Sequence, residues 1–158
     1  MELQKFAELQ LFITGPTYVR PEVRQAGALP EFGHRDAENE KRFKPIHQGL
    51  RAMARVGDGH DVLIFNGSGS TAMEASIRSL VAEDETVLNV SVGAFGDLYH
   101  KMAVANGKNA AQLRFDWGEA IDLDRMRQAM QEHKPHVVTF THHETSTGVA
   151  HDVEKVCA

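Results

Sequence analysis

Only one cysteine, Cys157, occurs in the 158 residues, so no intrachain disulfide can form and the chain suits a reducing compartment. Basic residues are short too. Lysine and arginine total 17 against 22 aspartates and glutamates, a formal net charge of −5, which lacks the basic excess of a nucleic-acid-binding face. No apolar run approaches the roughly 20 residues that a membrane-spanning helix requires. The opening residues, MELQKFAELQLFITGP, show no basic leader followed by an apolar core, and a cytoplasmic setting is expected. Internal repeats, low-complexity tracts and Ser/Gly linkers are missing as well. What is left, 42% hydrophobic and 25% charged residues, is the balance of an ordinary globular protein, and its length suits one domain.

Along the chain, residues 1–20 read as an N-terminal arm that ends in a turn at Gly15-Pro16. RPEVRQAGA (20–28) suits a short helix with Pro21 in its first turn. DAENEKRFKPIHQGLRAMARVG (36–57) has a helical pattern, with Asp36 as N-cap, a kink expected at Pro45 and Gly57 as terminator. From there strand and helix alternate. Strands are expected at 61–66, 86–92, 110–115 and 136–141, and helices at 70–82, 95–106 and 122–133, with another beginning near Asp152. Short apolar strands alternating with helices imply an α/β fold with a mostly parallel sheet covered on both faces. HDVEKVCA (151–158) begins a helix without a Gly or Asn terminator, so the chain is expected to be part of a longer polypeptide.

In an open parallel sheet, ligands bind beyond the carboxyl ends of the strands. Three polar clusters fall there. In the first, NGSGSTAMEA (66–75) follows the apolar run DVLIF and leads into a helix. Gly67 and Gly69 let the backbone approach a ligand closely. The unpaired N–H groups and aligned peptide dipoles that open the helix favour an anion, and Ser68, Ser70 and Thr71 add hydroxyl donors. The cup holds no lysine, which excludes a Walker A loop. Two other readings stand beside a phosphate cup. Ser70 or Thr71 could simply cap the helix. Alternatively, Gly67 to Ala72 fits G-x-G-x-x-G/A, the dinucleotide fingerprint. That fingerprint wants an acid at the end of the next strand, whereas Glu83, Asp84 and Glu85 precede the strand and its far end reads NVSVG.

The second cluster, Gly93-Ala94-Phe95-Gly96, places an aromatic between two glycines just past a strand, where its ring could cover a flat ligand or fill the core. The third, THHETSTG (141–148), is a polar run at another strand end. His142, His143 and Glu144 suggest a metal, but neighbours on a strand point to opposite faces and no HExxH or Cys/His spacing supports one, so none is assigned. Thr145 and Ser146 suit bonding to an oxygen on a planar ligand. A phosphate cup, an aromatic cover and a hydroxyl donor on one sheet edge together describe a flat, phosphorylated cofactor.

The pieces GPT (15–17), GHRD (33–36), GSGSTAMEA (67–75), VGAFGD (92–97) and THHETSTGV (141–149) resemble the class V aminotransferases, nearest to the serine/alanine–glyoxylate group. The resemblance runs in order from about Phe12 to the end of the chain. It implies a PLP-dependent transferase of fold type I (aspartate aminotransferase-like) in α/β/α layers, with residues 21–158 as the N-terminal portion of the cofactor-binding large domain. It implies pyridoxal 5'-phosphate as cofactor, a homodimer, and small amino acid and 2-oxo acid substrates, with no nucleic acid or membrane partner. Ser68, Gly69 and Ser70 would hold the phosphate, Phe95 would stack on the ring, and Thr145 would donate to the ring's phenolic oxygen. Gly15 and Pro16 would line the substrate pocket, and His34-Arg35 would lie near the active site or dimer interface.

The implied activity is amino-group transfer, with a lysine that anchors the cofactor and acts as general acid/base. That lysine, and the carboxylate facing the ring nitrogen, belong after the helix that begins at Asp152. Lys101, Lys108, Lys134 and Lys155 do not match the lysine motif, so no catalytic residue is assigned. The family's sheet also keeps the strand before the phosphate turn away from the next three. Residues 61–66 are therefore expected not to pair with 86–92, 110–115 or 136–141. Three alternatives accompany this reading: a fold-type-I lyase or desulfurase, where a histidine tends to replace Phe95; a dinucleotide-binding oxidoreductase domain; and a non-catalytic truncated fragment.

Overall fold

The computed structural model describes residues 11–158. Its residues fall into two compact units, divided between Phe65 and Asn66.

In the first unit, the Gly15–Pro16 peptide is cis. Helix α1 spans Pro21–Ala26, with proline in its first turn as the sequence predicts. Helix α2 spans Ala37–Met53. It starts where expected because the Asp36 carboxylate accepts the Glu38 amide at 3.1 Å. It carries Pro45 in its interior, and it stops at Met53 with Ala54 as cap, short of Gly57. Arg55, at φ 52°, turns the chain there instead. The following loop is tied back to α2: Asp61 meets Arg51 at 3.0 Å and His47 at 2.9 Å. These contacts, with the amide of Val62 and the guanidinium of Arg51 as leading causes, hold the Asp61 carboxyl below the usual range. Residues 61–66 are not a strand, contrary to their apolar pattern. A strand exists only where a partner takes its backbone groups, and none does among the described residues; Phe65 is 69% exposed.

The second unit contains helix α3 (Gly69–Leu80), strand β1 (Thr86–Ser91), helix α4 (Ala94–Ala105), strand β2 (Asn109–Arg114), helix α5 (Leu123–His133) and strand β3 (Val137–Thr139). A short hairpin of β4 (His143–Glu144) and β5 (Val149–Ala150) and helix α6 (Val153–Cys157) follow. The main sheet has the order β2-β1-β3 and is parallel throughout. Both edges of β1 are therefore occupied, from Thr86↔Asn109 to Ser91↔Arg114 on one side and Val87↔Val137 to Asn89↔Thr139 on the other. That leaves 61–66 no place beside β1, as the family resemblance implies. It also excludes the dinucleotide reading, in which the strand before the glycine turn lies against the strand after the helix.

Alternation along β1 explains the layers. Leu88, Val90 and Val92 join Phe115 and Ala129 of the α5 side in one buried cluster. Val87 joins Ile77 and Val81 of the α3 segment and Ala103 of α4 in another. Burying each such aliphatic side chain contributes about 1.5–3 kcal/mol, and a strand apolar on both sides can only be central. The direction of travel fits too. Parallel crossovers keep one hand, so a chain that reverses direction across the sheet must change face. Here β1 to β2 uses α4, and β2 back to β3 uses α5 on the opposite face. The polar residues that face α4 are satisfied in place. Asn89 Nδ2 donates to Thr139 Oγ1 at 2.7 Å, and its Oδ1 lies 3.3 Å from His100 Nδ1.

Candidate functional site

The reversal at β1 opens the carboxyl edge between β1 and β3, where the two following loops diverge and ligands collect in such sheets. Helices α3 and α4 start at that edge. Ser76 Oγ of α3 lies 3.1 Å from Tyr99 Oη of α4, and farther along Ile77 and Val81 share a cluster with Ala103. The two helices thus run side by side in the same direction, and their N-terminal amides, the positive ends of both dipoles, face the same way.

The two N-termini differ in what fills them. At α3 the N-cap is Ser68, in extended conformation, and its side chain makes no capping bond. Gly67 sits where Thr71 folds back over the turn; a Cβ there would lie 2.5 Å from Thr71 Oγ1. Ser68 and Gly69 are exposed and Ser70 is half-buried. At α4 the N-terminus is filled by the protein itself. Glu144, 1% exposed, directs Oε2 at the amides of Phe95 (3.0 Å) and Gly96 (3.1 Å). Its Oε1 accepts from Ser146 Oγ (2.7 Å) and Ser146 N (3.3 Å), and Ser146 Oγ accepts from Ala94 N (3.0 Å). Among the described residues, the partners of this buried side chain are helix amides and the Ser146 amide and hydroxyl, with no basic side chain in an ion pair with it.

Glu144 ends strand β4, and the four residues after it form the hairpin turn. The amides of Thr147 (3.1 Å) and Gly148 (2.8 Å) both donate to its carbonyl, and Gly148 closes the turn at φ 76°, a conformation suited to glycine. Thr145 is exposed at the turn's start. Phe95 is 39% exposed, so its ring is not core filler. The second and third clusters are thus in direct hydrogen-bonded contact, and the first opens on the same edge. Gly15 and Pro16 belong to the other unit and are exposed there. Sequence reasoning missed the role of Glu144, because its partners lie 48 and 49 residues away.

Behind the hairpin, His151 is buried with Nε2 unpartnered, and the Phe140 ring stands edge-on 6.5 Å away. Burial, then the neighbouring His142, push its pKa below the ordinary value, partly opposed by Glu144. The rings of His142 and His143 lie against each other, 4.2 Å between centroids. Two lysines are engaged elsewhere: Lys108 donates to the Val81 carbonyl and Lys155 pairs with Asp152 at 3.1 Å.

Residues 23–158 match the family described as aminotransferase class-V. The chain belongs to that family. It is 32% identical over 149 residues to the serine–glyoxylate aminotransferase of Hyphomicrobium methylovorum, covering 92% of this chain and 36% of that protein. Among solved structures, it resembles an alanine–glyoxylate aminotransferase from Nostoc sp., with TM-score 0.79, 28% identity, and coverage of 99% of this chain and 45% of that one. The ureidoglycine–glyoxylate aminotransferase of Bacillus subtilis gives TM-score 0.81 and 26% identity, covering 92% of this chain and 38% of that one. The chain spans about 38% of the length of the first curated relatives it matches. Its fold is that of the fold-type-I PLP-dependent aminotransferases, with the α/β/α arrangement that the sequence resemblance implies.

For this class-V aminotransferase chain, the fit of a phosphorylated flat cofactor rests on the two helix ends. Glu144 occupies the N-terminal amides of α4, whereas the N-terminus of α3, with Ser68 and Ser70 beside it, carries no side-chain cap. The Phe95 residue, 39% exposed, and the exposed Thr145 have the chemistry of a flat apolar cover and a hydroxyl donor. The residues fit the group.

Proposed function

We propose that this chain supplies the cradle for pyridoxal 5'-phosphate in an aminotransferase that moves an amino group from a small amino acid of the serine or alanine type to a 2-oxo acid such as glyoxylate or pyruvate. The observation that carries the reading is the contrast between the helix ends: α3 opens at Ser68 without a side-chain cap, whereas α4 is closed by Glu144. Bound there, the cofactor would supply the electron sink for amino-group exchange. Ser68, Gly69 and Ser70 would hold the phosphate through amides and hydroxyls. Phe95 would stack on the ring, and Thr145 would donate to its phenolic oxygen. In this reading Gly15 and Pro16 line the substrate pocket, the lysine that anchors the cofactor lies outside these residues, and the protein works as a cytoplasmic homodimer. Residues 21–158 are read as the first part of its large domain and 1–20 as its arm, of which 1–10 lie outside the described residues. The activities for which relatives are named support transfer over lyase or desulfurase chemistry, and glyoxylate recurs in those names.

The test is spectrophotometric titration of the full polypeptide with pyridoxal 5'-phosphate, followed by an assay of serine or alanine against glyoxylate. Saturable uptake that the Ser68→Ala/Ser70→Ala double variant weakens by tenfold or more is expected. A folded protein that takes up no cofactor would overturn the reading.

A further inference from the structure

The structure assigns Glu144 a role beyond capping: it is the positioning residue that fixes the distance between the ring face of Phe95 and the hydroxyl of Thr145. This inference rests on the proposed cofactor reading. The argument is geometric. Glu144 Oε2 bonds the backbone amide of Phe95 itself, and Oε1 bonds both the amide and hydroxyl of Ser146, the residue next to Thr145. One carboxylate therefore ties the backbone of the residue that would cover the ligand's face to the segment that would offer a donor at its edge. Ser146 Oγ closes the ring of contacts by accepting the Ala94 amide at 3.0 Å. Glu144 is 1% exposed, so its own bonds to Phe95 and Gly96 are shielded from water, whereas the Ser146–Ala94 contact lies at the surface. Close approach is built in as well: a Cβ on Gly93 would lie 2.5 Å from Glu144 Cγ and 2.6 Å from Ser146 Oγ.

The chemistry calls for a carboxylate and not merely an acceptor. Both oxygens face N–H donors, so the isosteric amide in Glu144→Gln must turn an NH2 group towards a donor whichever way it rotates. With the clamp broken, the Phe95 and Ser146 segments keep their chain connections but lose their common reference point.

The test compares wild type, Glu144→Gln and Glu144→Ala in the full polypeptide, with Asp122→Ala as control. Asp122 caps α5 through the amides of Asp124 (2.8 Å) and Arg125 (3.1 Å), so its loss removes a comparable cap outside the proposed site. Two readouts are taken. In the cofactor-free protein, amide hydrogen exchange at Phe95 and Gly96 is expected to quicken at least tenfold in both Glu144 variants and to stay unchanged in Asp122→Ala. With pyridoxal 5'-phosphate, affinity is expected to fall about tenfold in Glu144→Gln, and the induced visible circular dichroism of the bound cofactor to change shape. In Asp122→Ala both should match wild type despite a lower melting temperature.

Unchanged exchange at Phe95 and Gly96 would overturn the clamp. Faster exchange with unaltered affinity and dichroism would overturn its positioning role. A loss of affinity in Asp122→Ala equal to that in Glu144→Gln would reduce the effect to general stability and overturn it too. A wild-type protein that binds no pyridoxal phosphate would sink the functional reading first, and the positioning role with it.

Discussion

A methyl group placed on Gly93 would come within 2.5 Å of Cγ of Glu144, whose carboxylate is held by the amides of Phe95, Gly96 and Ser146. Gly93 has φ 175°, so backbone strain is not at issue and only space is. Because Glu144 cannot swing aside without losing its bonds, Gly93→Ala should destabilise the second unit by about 1–3 kcal/mol, the usual range for overpacking a filled site. Denaturant unfolding with an unchanged slope and a lower midpoint is the expected result.

Phe95→Ala should lower stability by about 1 kcal/mol, since Phe95 is 39% exposed and only partly buried, yet weaken cofactor binding. Stacking contributes about 0.5–1.5 kcal/mol beyond burial, and with the lost contact area the affinity should fall about tenfold. Equilibrium titration checks it, and unchanged affinity would remove Phe95 from the site.

Ser68→Asp separates a cap from a phosphate cradle by giving opposite signs. A carboxylate at this N-cap would satisfy free amides of α3 and stabilise it by about 0.5–1 kcal/mol. The same charge would repel a phosphate dianion. Melting temperature should rise while pyridoxal phosphate affinity falls by tenfold or more. If the turn served only to start the helix, affinity would not change.

His151 gives a pH signature. Its pKa is lowered in the fold, first by burial and then by His142, with Glu144 opposing. Below its ordinary value of 6.5 the unfolded chain takes up the proton before the folded chain does. Stability is therefore full above that pH and declines as the pH falls from there through the folded pKa. His151→Gln should lose this component, so the wild type should drop more than the variant between pH 7.5 and 5.5 in matched denaturant melts.

The sheet was legible because β1 carries apolar residues on both faces and turn signals at both ends. The order of β2, α5 and β3 followed from strand and helix alternation. The run 61–66 misled for a physical reason: its composition reports a wish for burial, whereas a ladder also needs a neighbour, and both edges of β1 are taken. Helix α2 ran through Pro45 but stopped before Gly57, because Arg55 adopts the left-handed turn first. At the proposed site, Phe95 and Thr145 could be suggested from strand ends and residue chemistry, and Ser68 from its glycine-hydroxyl turn before a helix. Glu144 could not, since nothing local in THHETSTG says that its carboxylate crosses to a helix 49 residues earlier.

Two neighbouring seats of equal polarity on one rim would ordinarily let an anionic guest settle in either, facing either way. Here one seat comes with a permanent occupant from the protein's own chain. In the proposed reading, a molecule carrying its charge at a single end would therefore dock in one sense, head at Ser68 and body towards Phe95. Polarity of docking is thus decided before any contact with the rest of the guest is made.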